Sequence, residues 1–242
     1  FSEAGIAAPL CNFAQVSVNG DDLGIYVHVE PIKRSFLRRN FAEDSGELYE
    51  GTLSDFSALR YRTFDPKNTD SDPNLTAIAV FSEALESPDP SAVLEEHIDL
   101  NQFLTFYAME VITGHWDGYA GNLNNFYVYR DTLTQRFSFI PWGLDDVFDP
   151  ALLDASENGF SSSVLANVVL GDPVLSERFH QRLTELLDTV WNEDALHAEL
   201  DRLESLLGVT DGELDQQFDR LRWYVDQRRS DLRSRQPFTE QQ

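Results

Sequence analysis

Apolar and polar positions alternate from Phe13 to Val18 and again from Gly24 to Glu30, with Asn19-Gly20-Asp21-Asp22 between them. Period-two alternation around an Asn-Gly turn predicts a β-hairpin. Ser2 to Ala8 reads as the end of a helix broken at Pro9, Lys33 to Asn40 as a short basic helix, and Gly46 to Gly51 as a short strand and turn. Phe64 to Asn74 is rich in Asp, Asn and Pro and predicts a loop. Asp70, Asp72 and Asn74 alternate as calcium ligands would, but Leu75 and Phe81 stand where an EF-hand loop needs Gly and Glu, so a plain acidic loop is expected.

Helical spacing returns downstream. Ala77 to Glu86 and Ser91 to Glu96 predict two helices. Leu100 to Gly114 predicts a third, with Leu104, Tyr107, Ala108, Val111 and Ile112 as one buried stripe and Gly114 as its stop. Asn125 to Arg130 and Arg136 to Pro141 predict a second hairpin, turning at Asp131 to Gln135. An irregular, Ser-rich stretch runs from Asp149 to about Ser163. Helices are expected at Val174 to Asn192, Asp194 to Leu207 and Gly212 to Arg235. His180, Trp191, His197 and Trp223 fall on these helices at no metal-binding spacing and are expected to pack or face solvent. The fold class is therefore α+β.

Charge narrows the function classes. The 242 residues carry a formal net charge of -24. Such a surface repels nucleic acid and anionic membranes, so neither is expected as a partner. No segment reaches the roughly 20 apolar residues of a membrane helix. The first residues lack a signal-peptide pattern and an initiator Met, so the chain reads as part of a longer precursor. The single Cys11 leaves no intrachain disulfide and no Cys-based zinc site. Beside Leu10 and Phe13, it reads as a buried structural thiol.

One stretch carries chemistry. His115-Trp116-Asp117 through Asn122 has the spacing H-x-D-x-x-x-x-N of a kinase catalytic loop. The Asp would orient an attacking hydroxyl, and the Asn would reach a metal ion on nucleotide phosphates. Gly118 and Gly121 let the backbone fold tightly enough for both. A hairpin follows, then Ile140-Pro141-Trp142-Gly143-Leu144-Asp145-Asp146, placing Asp145 where kinases carry a metal-binding Asp. Asp and Asn oxygens suit Mg2+ or Mn2+. On the pattern alone, turn formation by Asp117, Asn122, Asn124 and Asn125 is an equal reading.

HWDGYAGNLNNFYVYRD followed by RFSFIPWGLDDVF resembles the signature of the spore coat protein H (CotH) kinase family. VNGDDLGIYVHVEPIKRSFLRRNF, GELYEG and DPVLSERFHQRLTELL are similar to that family too. The resemblance implies an atypical protein-kinase-like two-lobe fold. Residues 1–76 would form an incomplete small lobe and connector. Residues 77–242 would form a mostly helical large lobe containing the catalytic hairpin. It also implies transfer of the ATP γ-phosphate to Ser or Thr of a secreted or envelope protein, with Mg2+ or Mn2+, in an extracellular or cell-envelope setting. By position, Asp117 matches the catalytic Asp, Asn122 or Asn125 the metal-side amide, and Asp145, assisted by Asp146, the metal carboxylate. Gly143 departs from the family, where many members carry Asp. The phosphate-anchoring pair is expected at Lys33 and Glu30, with Arg34, Arg38, Arg60 and Arg62 as alternative cations. The rival expectation is a pseudokinase, or a structural coat protein, that binds nucleotide or partner without transfer.

Overall fold

The computed structural model describes residues 1–152, 157–208 and 212–235. It is an α+β fold with two small antiparallel sheets and a mainly helical second part.

β1 (Cys11–Val18) and β2 (Asp21–Val29) form the first hairpin. Asn19 and Gly20 both adopt positive φ, 55° and 94°, as a two-residue hairpin turn requires. Neither strand buries a residue, and Ile25, Tyr26 and Val27 are exposed. The expected hairpin is present, and no layer of the described structure covers this ribbon. Cys11 is exposed for the same reason, against the expected buried thiol.

α1 (Arg34–Asn40) turns Phe36 and Leu37 inward and Arg34 and Arg38 outward to Asp44. The second sheet contains β3 (Glu47–Gly51), β4 (Asp65–Pro66), β5 (Phe126–Arg130) and β6 (Phe137–Pro141), in the order β4-β3-β5-β6. Segments on both sides of residue 76 thus share one sheet. Its two faces follow the strand period. Phe126, Val128, Phe137 and Phe139 enter the main core. Leu48, Tyr127, Tyr129 and Ile140 meet Ile32, Phe36 and Leu37 in a smaller cluster.

α2 (Thr76–Ala84), α3 (Ser91–His97) and α4 (Leu100–Thr113) follow. The acidic loop before α2 is structural: the Asp72 carboxylate accepts from the Asn74 and Thr76 N–H groups and starts that helix. Asp99 caps α4 by accepting from the Gln102 N–H at 3.1 Å, and Gly114, at φ 68°, ends it. Every residue from Phe103 to Thr113 is buried. The five residues of the expected stripe are buried, and burial extends all round the helix because both β6 and a later helix pack against α4.

α5 (Tyr119–Asn122), α6 (Val164–Gly171), α7 (Pro173–Thr189), α8 (Glu193–Leu207) and α9 (Glu213–Arg235) complete the chain. α5 and α6 were not anticipated, and the helix expected to reach Asn192 stops at Thr189. Ser2–Ala4 is one 3-10 turn rather than a helix end. The irregular stretch contains short 3-10 turns at Pro150–Leu152 and Glu157–Phe160, and part of it lies outside the described residues. No helix is long and apolar enough to cross a membrane among the described residues.

α9 locks the end of α4. Arg228 is fully buried and donates to the carbonyls of Val111 and Ile112, while the Tyr224 hydroxyl donates to Ile112 at 2.9 Å. These are last-turn carbonyls, of which Val111 also accepts from the Gly114 N–H at 3.2 Å, and a cation there complements the helix dipole.

Candidate functional site

α4 delivers the chain at Gly114 into His115-Trp116-Asp117. Two glycines in the following loop are needed for close approach rather than for positive φ. A Cβ on Gly118 would lie 2.2 Å from Glu110 Oε1, and one on Gly121 would lie 2.0 Å from the Trp116 carbonyl oxygen. Leu123 and Asn125 take left-handed φ values of 60° and 48°. These two bends turn three asparagines toward one point. Asp117 Oδ1 accepts from the Asn122 amide at 2.6 Å, and Oδ2 accepts from Asn125 at 2.6 Å and Asn124 at 3.2 Å. The two alternatives, Asn122 and Asn125, both converge on Asp117.

The end of β6 closes onto this loop. The Trp142 N–H donates to the Asn125 carbonyl at 3.1 Å. Gly143, at φ 55°, packs against the Asn125 amide so closely that a Cβ would sit 2.6 Å from its Cγ. A 3-10 turn, Leu144–Asp146, follows. Asp146 accepts from the Trp116 indole at 2.7 Å, which ties this turn to the neighbour of Asp117. Asp145 is exposed in the same turn. The buried His115 ring lies against the backbone of Asn125 and Trp142, and neither ring nitrogen has a hydrogen bond of ordinary geometry. Burial pulls its pKa down, while the charges of Asp117 and Asp145 act in the opposite sense. Asp117, Asn122, Asn125, Asp145 and Asp146 therefore gather on one side of the fold.

Two buried carboxylates that the sequence reading missed support the loop. Glu110 accepts from the Tyr119 and Ala120 N–H groups, each at 2.8 Å, and burial pushes its pKa up to about 8. Asp55 accepts from the Tyr119 hydroxyl at 2.8 Å and from the Val164 N–H at 3.1 Å, tying the loop to the start of α6. Burial raises the Asp55 pKa also. A signal existed for Glu110: it is the one charge inside an otherwise apolar helical run, and Glu is rarely buried without a reason. None marked Asp55.

Lys33 and Glu30 do not pair. Glu30 accepts from Arg39 and from the Leu10 N–H, and Lys33 is exposed ahead of α1. Glu30 follows the exposed strand β2, and its carboxylate is engaged by Arg39 and the Leu10 N–H. A Lys–Glu pair occurs instead on the second sheet. Lys67 Nζ contacts Glu50 and, at 2.7 Å, Asp65. Glu50 also accepts from the Tyr127 hydroxyl at 2.9 Å, and the Tyr127 ring meets Trp142 edge-on at 5.6 Å. Glu50 stands opposite Tyr127 in the sheet, two residues from Asn125.

The donors fit a hard cation of modest demand. No group of three or more His, Cys, Asp or Glu that could hold a metal occurs among the described residues. Mg2+, however, is commonly held by one or two carboxylates, with waters and phosphate oxygens completing its shell. Asp145, Asp146 and the Asn122 and Asn125 amide oxygens offer that chemistry.

The sequence of the CotH kinase protein family, taken as a family model, matches residues 1–230. The chain is 26% identical over 158 residues to the inner spore coat protein H of Bacillus subtilis, covering 60% of this chain and 43% of that protein. It is 25% identical over 221 residues to spore coat protein homolog 1 of Rhizopus delemar, covering 79% of this chain and 35% of that protein. Invasin CotH2 of the same organism is 30% identical over 155 residues, covering 56% of this chain and 24% of that protein. The chain spans less than half the length of these curated relatives. With the match running through the loop, the second hairpin and the helices behind them, the chain belongs to the CotH kinase protein family.

Proposed function

We propose that this chain carries the phosphoryl-transfer centre of an atypical, two-lobed protein kinase that modifies Ser or Thr of a secreted, coat or envelope protein. The observation that carries the proposal is the convergence of Asn122, Asn124 and Asn125 on Asp117, with the Gly143–Asp146 turn packed beside them. The names of the relatives, spore coat proteins and invasins, support a coat or cell-surface setting.

In the proposed step the substrate hydroxyl oxygen attacks the γ-phosphorus of ATP. An O–P bond forms, the bond to the β-phosphate oxygen breaks, and ADP leaves. Asp117 orients the hydroxyl and takes its proton. The three amides hold the carboxylate in one rotamer, so it aims without reorganising. Asp145, Asp146 and the Asn122 or Asn125 oxygen would hold Mg2+ or Mn2+, which neutralises phosphate charge when bound. For the phosphate-facing cation, Lys67 is preferred to Lys33, because Glu50 fixes it on the sheet that carries the site.

Gly143 favours a second reading, a nucleotide-binding pseudokinase. Where a carboxylate is expected by resemblance, the Asn125 amide fills the space that a side chain would need. Transfer of labelled phosphate from ATP by the full-length protein decides between the two. Asp117→Asn is expected to lower transfer by about 10²–10⁴-fold, the range of a lost general base. Asp145→Asn and Lys67→Met are expected to weaken it too, with Lys33→Met near wild type. Calorimetric binding of ATP with Mg2+ but no transfer by wild type would establish the second reading.

A further inference from the structure

α4 carries a carboxylate within its buried length, in its last turn. Glu110 has no solvent exposure, and its two oxygens are used separately. Oε1 accepts from the Tyr119 N–H and Oε2 from the Ala120 N–H, both at 2.8 Å. These are first-turn N–H groups of α5, which have no acceptor within that helix. The backbone carbonyl of the same residue accepts from the His115 N–H at 2.9 Å. One residue thus grips the loop on both sides of Asp117. The fit is closed, since a Cβ on Gly118 would collide with Oε1. An isolated core carboxylate is costly, and a core filler at this position would be apolar.

We propose that Glu110 is the positioning residue of the catalytic loop: it fixes the Tyr119–Ala120 backbone so that Asp117 and Asn122 meet in the reactive arrangement. The inference rests on the phosphoryl-transfer reading. Glu110 touches neither substrate nor phosphate and acts only through the loop backbone. Glu110→Gln keeps the shape and one acceptor oxygen but turns an amide N–H against one of the two backbone N–H groups. Glu110→Ala removes both acceptors.

The test uses the full-length protein and three readouts: amide hydrogen exchange across residues 115–125, the side-chain amide resonances of Asn122 and Asn125, and kcat with KM for ATP. For Glu110→Gln, exchange at Tyr119 or Ala120 is expected to quicken by about tenfold or more. The two amide resonances shift. The kcat value falls on the order of 10²-fold, as for a displaced catalytic group, while KM changes less than about twofold. Glu110→Ala shows the same pattern more strongly. Unchanged exchange and resonances in both variants overturn the proposal, as does a lowered melting temperature with kcat intact. A wild type that transfers no phosphate sinks the functional reading instead. The exchange and resonance data then decide the role of Glu110 by themselves.

Discussion

Gly143 shows how a single position can be settled by its neighbours. Its φ of 55° is left-handed, and the Asn125 amide occupies the space of a Cβ. A side chain there pays for both the backbone conformation and the displaced amide. Gly143→Ala is expected to destabilise the protein by roughly 1–3 kcal/mol, read as a lower melting temperature. An unchanged melting temperature contradicts the geometry. Glu110 gives a pH signature. Its folded-state pKa of about 8 lies above the ordinary 4.5, so the folded protein binds this proton more tightly than the unfolded chain. The resulting stabilisation is complete below about pH 4.5 and is lost as pH rises through about 8, on the order of a few kcal/mol in total. His115 is the titratable neighbour across Gly118. Urea denaturation at about pH 6 and pH 9 should therefore show wild type losing more stability than Glu110→Gln on going to the higher pH. Equal losses refute it. Asp117 and its asparagines were legible because their spacing is local, within eight residues. Asp55 was not, because its bond to Tyr119 spans 64 residues and depends on the finished fold.

At the level of elements, alternation located both hairpins but could not tell a covered ribbon from a bare one. Both give the same period, and coverage depends on what lies above. β5 and β6 sit between two clusters of buried side chains, whereas β1 and β2 bury nothing. A two-stranded ribbon without a packed face is marginal in water. Amide exchange in β1 and β2 is therefore expected to be much faster than in β5 and β6, at least about 10²-fold. Similar protection in the two hairpins contradicts the exposed placement. α4 was legible as a helix from its spacing, yet its all-round burial was not, because it depends on β6 and α7, which both pack against it in the finished fold. α6 (VLANVVLG) is short and almost wholly apolar, a pattern that does not distinguish a helix from a buried strand.

For the whole molecule, charge sets the terms of function. A net charge of -24 opposes any anionic ligand, ATP included. A nucleotide site on this chain needs local positive charge; Lys67 is already paired with Glu50 and Asp65, so in the proposal it comes chiefly from the divalent ion that Asp145 and the asparagines would hold. The proposal places the chemistry between the end of α4 and the end of β6, where the loop around Asp117 and the Gly143–Asp146 turn meet. The most direct measurement is phosphate transfer from labelled ATP to a Ser- or Thr-containing protein, comparing full-length wild type with Asp117→Asn under conditions where both bind ATP. The account predicts transfer by wild type and a loss of about 10²–10⁴-fold in the variant; equal transfer by the two proteins would contradict it.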